Sequence, residues 1–160
     1  MKTISLSEIK QELQNLPAKE IAELCLRLAR YKKENKELLA YLLFEAHNPE
    51  AYAIRIKESI EEGFKDINTV NLYLAKKTLR KILRQANRYI KYTSNKQTEV
   101  EVLVHFCSVL KVSGIAIHKN KALHNLYLKQ LKKIKAAITT LHEDIQYDFM
   151  KSIQQLQAGI

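Results

Sequence analysis

Apolar residues recur along the chain at the three- and four-residue spacing of amphipathic helices, and that spacing predicts most of its elements. Ser5 or Ser7 opens a short first helix over about residues 8–15, with Ile9, Leu13 and Leu16 on its apolar edge and Pro17 ending it. Ile21, Leu24, Cys25, Leu28 and Tyr31 then mark a second helix, up to the polar break Lys32-Lys33-Glu34-Asn35. The next run, KELLAYLLFEA, is apolar nearly all round. A helix without a polar face is ordinarily covered on several sides, which predicts Leu38–Ala46 at the centre of the fold. Asn48-Pro49 reads as an N-cap and first-turn proline opening a helix with Ala53, Ile56, Ile60, Phe64 and Ile67 as its core stripe.

Val70–Lys91 has the cleanest division between faces. With Asn68 or Thr69 as its cap and about 100° per residue, Leu72, Ala75, Leu79, Ile82, Leu83, Ala86 and Ile90 fall on one side. Lys76, Lys77, Arg80, Lys81, Arg84, Arg88 and Lys91 fall on the other. The following segment, 97–111, is ambiguous: Val100, Val102, Val104 and Phe106 alternate as in a strand, while Val100, Leu103, Phe106, Cys107 and Leu110 also make a helical stripe. A lone strand would have no partner in so helical a chain, so helix is the reading. Beyond the Ser113-Gly114 turn, Leu123, Leu126, Leu131, Ile134, Ile138 and Leu141 form a second long apolar stripe, with Lys121, Lys129, Lys132, Lys133 and Lys135 largely opposite it. His142–Leu156 continues that helix with a bend or forms another.

The expectation is an all-α fold of about six to seven helices, as an antiparallel bundle or a short superhelical stack of helix pairs. Only 3 Gly and 2 Pro in 160 residues support it, and the length suits a single domain over 1–160. The three glycines, Gly63, Gly114 and Gly159, cannot build a Walker or dinucleotide-binding loop. No apolar run reaches the roughly 18 residues of a membrane span. Cys25 and Cys107 sit in apolar helical contexts and read as reduced, buried thiols of a cytoplasmic protein.

Charge changes the picture because it is unevenly placed. Residues 1–67 carry 11 Lys/Arg against 12 Asp/Glu, residues 68–142 carry 15 against 2, and residues 143–160 carry 1 against 3. No acidic residue occurs between Ile67 and Thr98.

The stretches KKENKELLAYLLFEAH, YLAKKTLRKILRQANRYIKYT and TEVEVLVHFC resemble small helical bacterial proteins of the Bacteroidetes type, over about residues 5–110. The resemblance implies a bacterial cytosolic origin and carries over no activity, ligand or site residue.

The remaining chemistry is sparse. His105 and Cys107 lie two apart, on different faces of a helix, and so make no zinc pair. Glu101 and His105 can share a face, but one such pair is not the repeated set that a di-metal site needs, and a half-buried His touching a carboxylate is the simpler reading. His118, His124 and His142 read as surface histidines. No catalytic motif, metal site or cofactor is implied.

What stands out is the basic surface. Clustered Lys and Arg attract phosphate backbones with salt-sensitive, largely sequence-independent affinity. From Lys76 to Lys91 the face runs about 22 Å, bordered by Tyr73, Asn87 and Tyr92, which could stack on or hydrogen-bond to bases. The expected function is a non-catalytic module contacting RNA or DNA backbones through Lys76, Lys77, Arg80, Lys81, Arg84, Arg88 and Lys91, with Lys129, Lys132, Lys133 and Lys135 assisting. The alternative is a helical scaffold or adaptor for an acidic protein partner. The two differ on whether the two basic faces meet, and on how far Glu58, Glu61, Glu62 and Asp66 of the preceding helix neutralise the first of them.

Overall fold

The computed structural model describes residues 4–158. They form eight α-helices and one 3-10 turn, with no strand among the described residues. The chain divides into two compact units, residues 1–45 and 46–160. Charge, in contrast, changes between residues 67 and 68, well inside the second unit.

The first unit holds α1 (Leu6–Gln14), α2 (Ala18–Tyr31) and α3 (Lys33–Phe44). Ser5 caps α1 in a reciprocal capping box: its hydroxyl accepts from the Glu8 N–H, and the Glu8 carboxylate accepts from the Ser5 N–H at 2.7 Å. Those bonds to the charged form hold the Glu8 carboxyl below its ordinary range. Pro17 is the N-cap of α2, so that helix begins one residue later than an N1 proline would place it. The α2–α3 pair turns through the single extended residue Lys32, and Asn35 Nδ2 donates to the Leu28 carbonyl at 2.9 Å.

Leu38–Ala46 is not the centre of the fold. Within α3 only Tyr41 is buried, while Leu42, Leu43 and Phe44 are 57%, 64% and 71% exposed. Cys25 is also half-buried rather than core-facing.

The second unit holds α4 (Pro49–Lys65), α5 (Leu72–Thr93), α6 (Lys96–Val112), the 3-10 turn Ile117–Lys119, α7 (Lys121–Ile138) and α8 (Glu143–Gln157). An asparagine caps each of the first four helices: Asn48, Asn71, Asn95 and Asn120 each accept from N–H groups of the first turn. For α5 the cap is Asn71, and Asn68 instead accepts from the N–H groups of Val70 and Asn71. α5 ends at Ser94, whose φ of 48° lies in the left-handed region.

The segment 97–111 is helical and occupies the centre of this unit. α6 packs against α4, α5, α7 and α8. Val100, Val102, Leu103, Phe106 and Cys107 are all fully buried. The alternating valines that imitate a strand are covered because neighbours lie on more than one side of the helix. Phe64 of α4 meets Phe106 with ring centroids 5.7 Å apart. Gly63 lets α4 approach α5 closely, since a Cβ there would fall 2.7 Å from Ile82 Cγ1.

α8 is a separate helix, capped by His142. It is tied back by the buried Tyr127 hydroxyl, which donates to the Leu156 carbonyl at 2.9 Å, and by Lys111 Nζ, which donates to the Gln155 and Ala158 carbonyls at its end. Desolvation, with Cys107 nearby, raises the Tyr127 phenol to about 12.

No described helix is long and apolar enough to cross a membrane.

Candidate nucleic-acid interface

The apolar back of α5 is set in the second unit, with Ala75, Leu79, Ile82, Leu83, Ala86 and Ile90 buried. That fixes the rotation of the helix and leaves Lys77, Arg80, Lys81, Arg84 and Lys91 exposed, with Lys76 and Arg88 partly covered. α7 is fixed in the same way by Leu123, Tyr127, Leu131, Ile134 and Ile138. Both helices pack on α6, and residues from the polar faces of both line one cleft.

A cleft of about 490 Å³ forms where those faces meet. Arg80, Arg84 and Asn87 line it from α5, at positions i, i+4 and i+7 of one helix face; Asn125, Lys129 and Lys133 line it from α7. Lys133 Nζ donates to Asn87 Oδ1 at 3.0 Å, joining the two walls, while Asn87 Nδ2 donates to the Leu83 carbonyl. No carboxylate lines the cleft. Arg80 and Arg84 are exposed and make no ion pair among the described residues. Gln130, 4% exposed, also lines it: its Nε2 donates to the Leu126 carbonyl, leaving Oε1 a buried acceptor without a hydrogen bond among the described residues.

The other residues expected at this surface are dispersed. Lys91 lies in an adjoining hollow that shares Asn87, beside Lys96 and Glu99. Lys81 lines the opposite groove, between α4 and α5, with Glu62 and Asp66. Lys76 covers the exposed Tyr73 ring at 5.5 Å, and Arg88 covers Tyr89 at 5.4 Å. Lys77, Lys132 and Lys135 are exposed but do not line the cleft. Tyr92 is buried and cannot stack on a base, whereas Tyr73 is 69% exposed and can. Asn125 and Gln130 carry no signal of their own in the sequence; their spacing from Lys129 and Lys133 marks the face only once the neighbour across it is known.

Of the acids in and after α4, Glu62 and Asp66 line the groove that holds Lys81 and none lines the α5–α7 cleft. Lys57 and Glu101 pair at 3.0 Å, Glu62 pairs with Lys65 of its own helix, and Glu61 Oε1 lies 3.1 Å from His105 Nε2. The carboxylate touching His105 is therefore Glu61 of the neighbouring helix rather than Glu101. Desolvation keeps the His105 imidazole below its usual pKa despite Glu61, which favours the proton, with Lys57 adding to the depression. Glu62 pairing raises the exposed Lys65 ammonium. Burial pushes the Cys107 thiol up to about 12, a direction opposite to an activated nucleophile. Among the described residues no group of three or more His, Cys, Asp or Glu side chains is arranged to hold a metal ion.

No family model, curated protein or solved structure matches the chain.

Proposed function

We propose that the second unit, a small bundle arranged around α6, is a non-catalytic module that holds RNA or DNA phosphate backbone in the α5–α7 cleft. One observation carries this reading: Arg80 and Arg84 from one helix and Lys129 and Lys133 from another line a single concavity that contains no carboxylate. A groove with one sign of charge concentrates counter-charge, and a phosphodiester chain supplies it repeatedly along its length. The arginines offer forked donors to phosphate oxygens, and the lysines offer compact charges on the facing wall. The exposed Tyr73 ring stands on the same helix and provides a stacking surface for an unpaired base. Nothing in the cleft reads base edges, so affinity depends on salt more than on sequence.

Fluorescence anisotropy with labelled single-stranded RNA and duplex DNA at low ionic strength tests the reading. Binding is expected at micromolar concentrations, a typical order for backbone contacts. The double substitution Arg84→Glu and Lys129→Glu abolishes it, while Lys81→Glu, in the groove already shared with Glu62 and Asp66, leaves most of it. Absence of binding to either probe contradicts the proposal.

A further inference from the structure

The first unit carries a second recessed surface that the nucleic-acid reading does not use. Leu26, Ala29 and Arg30 of α2 face Lys33, Lys36, Leu39, Ala40, Leu43 and Phe44 of α3 across a groove of about 640 Å³. On α3, Lys36, Leu39, Ala40 and Leu43 stand at i, i+3, i+4 and i+7, so one continuous helix face forms the wall. Its composition is graded. Arg30, Lys32, Lys33 and Lys36 crowd the end where α2 turns into α3, and Leu43 with Phe44 occupy the far end of α3. No carboxylate lines the groove, although Glu37 reaches Lys33 at 3.7 Å from beside it.

Exposure of this kind has a cost. Leu26, Leu43 and Phe44 are 51%, 64% and 71% exposed, and grouped apolar side chains left in water commonly mark an interaction site. The groove is open and long, flanked by helices of 14 and 12 residues, about 21 and 18 Å. Those dimensions suit a helix laid along it rather than a small molecule enclosed by it. The cations at one end select the charge of that helix.

We infer that the α2–α3 groove receives an amphipathic helix of a partner protein, with an apolar stripe lying on Leu26, Leu39, Leu43 and Phe44 and flanking Glu or Asp residues meeting Arg30, Lys33 and Lys36. This helix-in-groove mode places anchors at i, i+3, i+4 and i+7 of the incoming helix. The charged end steers its approach and excludes basic helices of equal hydrophobicity. The inference is independent of the α5–α7 cleft.

The full chain, titrated into a labelled 18-residue helical peptide with a leucine stripe and glutamate flanks, tests it by anisotropy at physiological salt. Saturable binding is expected, at least about ten-fold tighter than to the same stripe flanked by lysines. Leu43→Ser and, separately, Lys33→Glu with Lys36→Glu should each weaken it about ten-fold or more. Because these side chains are solvent-facing, far-ultraviolet circular dichroism and the melting temperature should not change. Arg84→Glu with Lys129→Glu should leave peptide binding intact and affect only nucleic acid. The inference is overturned by equal affinity for the two peptides, by no binding, or by loss of binding only in the α5–α7 variant. A dimer in sedimentation equilibrium that Leu43→Ser dissociates would assign the groove to a second copy and overturn it too. So would binding to phosphatidylglycerol vesicles without binding to the glutamate peptide.

Discussion

The two units use similar apolar helical material for different ends. Among the described residues, every buried apolar side chain except Tyr41 belongs to the second unit, where α6 is enclosed by four other helices. The first unit has α3, with its own apolar run, yet leaves Leu42, Leu43 and Phe44 largely in water. Apolar content thus says that a helix has surface to cover; only the neighbours say whether the protein itself covers it. The basic residues divide in the same way: in the second unit they line a cleft between two packed helices, and in the first they line one end of an open groove.

Core truncation separates the units most strongly. Phe106→Ala, at a fully buried position against Phe64, should lower unfolding free energy by about 3–5 kcal/mol. Leu43→Ala, 64% exposed, should change it by less than about 0.5 kcal/mol. Urea unfolding of the two variants measures both, and similar costs would remove the distinction.

The thiols give the next contrast. Cys107 is fully buried with its thiol pushed up to about 12, whereas Cys25 is half-buried in α2. An aromatic disulfide reagent at pH 8 should modify Cys25 at least about a hundred-fold faster, with Cys107 reacting only when the second unit opens. Equal rates would show that α6 is not enclosed as described.

The smallest effect is pH dependence at the α4–α6 seam. The folded pKa of His105 lies below the unfolded value, so the unfolded chain binds the proton more readily and the stability tied to neutral His105 is complete above about pH 6.5. That contribution is lost as pH falls from there through the folded pKa. Melting curves at pH 5 and pH 8 should show a smaller loss on acidification for His105→Gln than for the unsubstituted chain; an unchanged loss would place the imidazole in solvent.

How much of this could be read from the sequence follows from how local each cause is. The faces of α5 were evident because seven bases and an apolar stripe recur at helical spacing, and both signals lie within one element. Asn48 and Pro49 mark the start of α4 for the same reason, and 97–111 is helical despite its alternating valines. The exchange of roles between α3 and α6 was not evident, since two apolar helices look alike until their packing partners are known. Asn71 displaced Asn68 as the α5 cap because two asparagines lie within four residues and turn geometry decides between them. Of the two readings open for His142–Leu156, the separate helix is the one observed, and the eight α-helices among the described residues exceed the six or seven expected. The meeting of Arg80 and Arg84 with Lys129 and Lys133 depends on α6 lying against both helices, information spread over some fifty residues.

The salt dependence of RNA binding tests the cleft most directly. Replacing Arg80, Arg84, Lys129 and Lys133 with Gln should reduce the slope of log affinity against log salt by about 3, since each phosphate contact to a single strand contributes about 0.7. Replacing Lys77, Lys121, Lys132 and Lys135 with Gln removes the same net charge from outside the cleft and should reduce it by less than about 1. Equal reductions in the two variants would mean that overall charge, rather than the α5–α7 cleft, holds the nucleic acid, and would contradict the account.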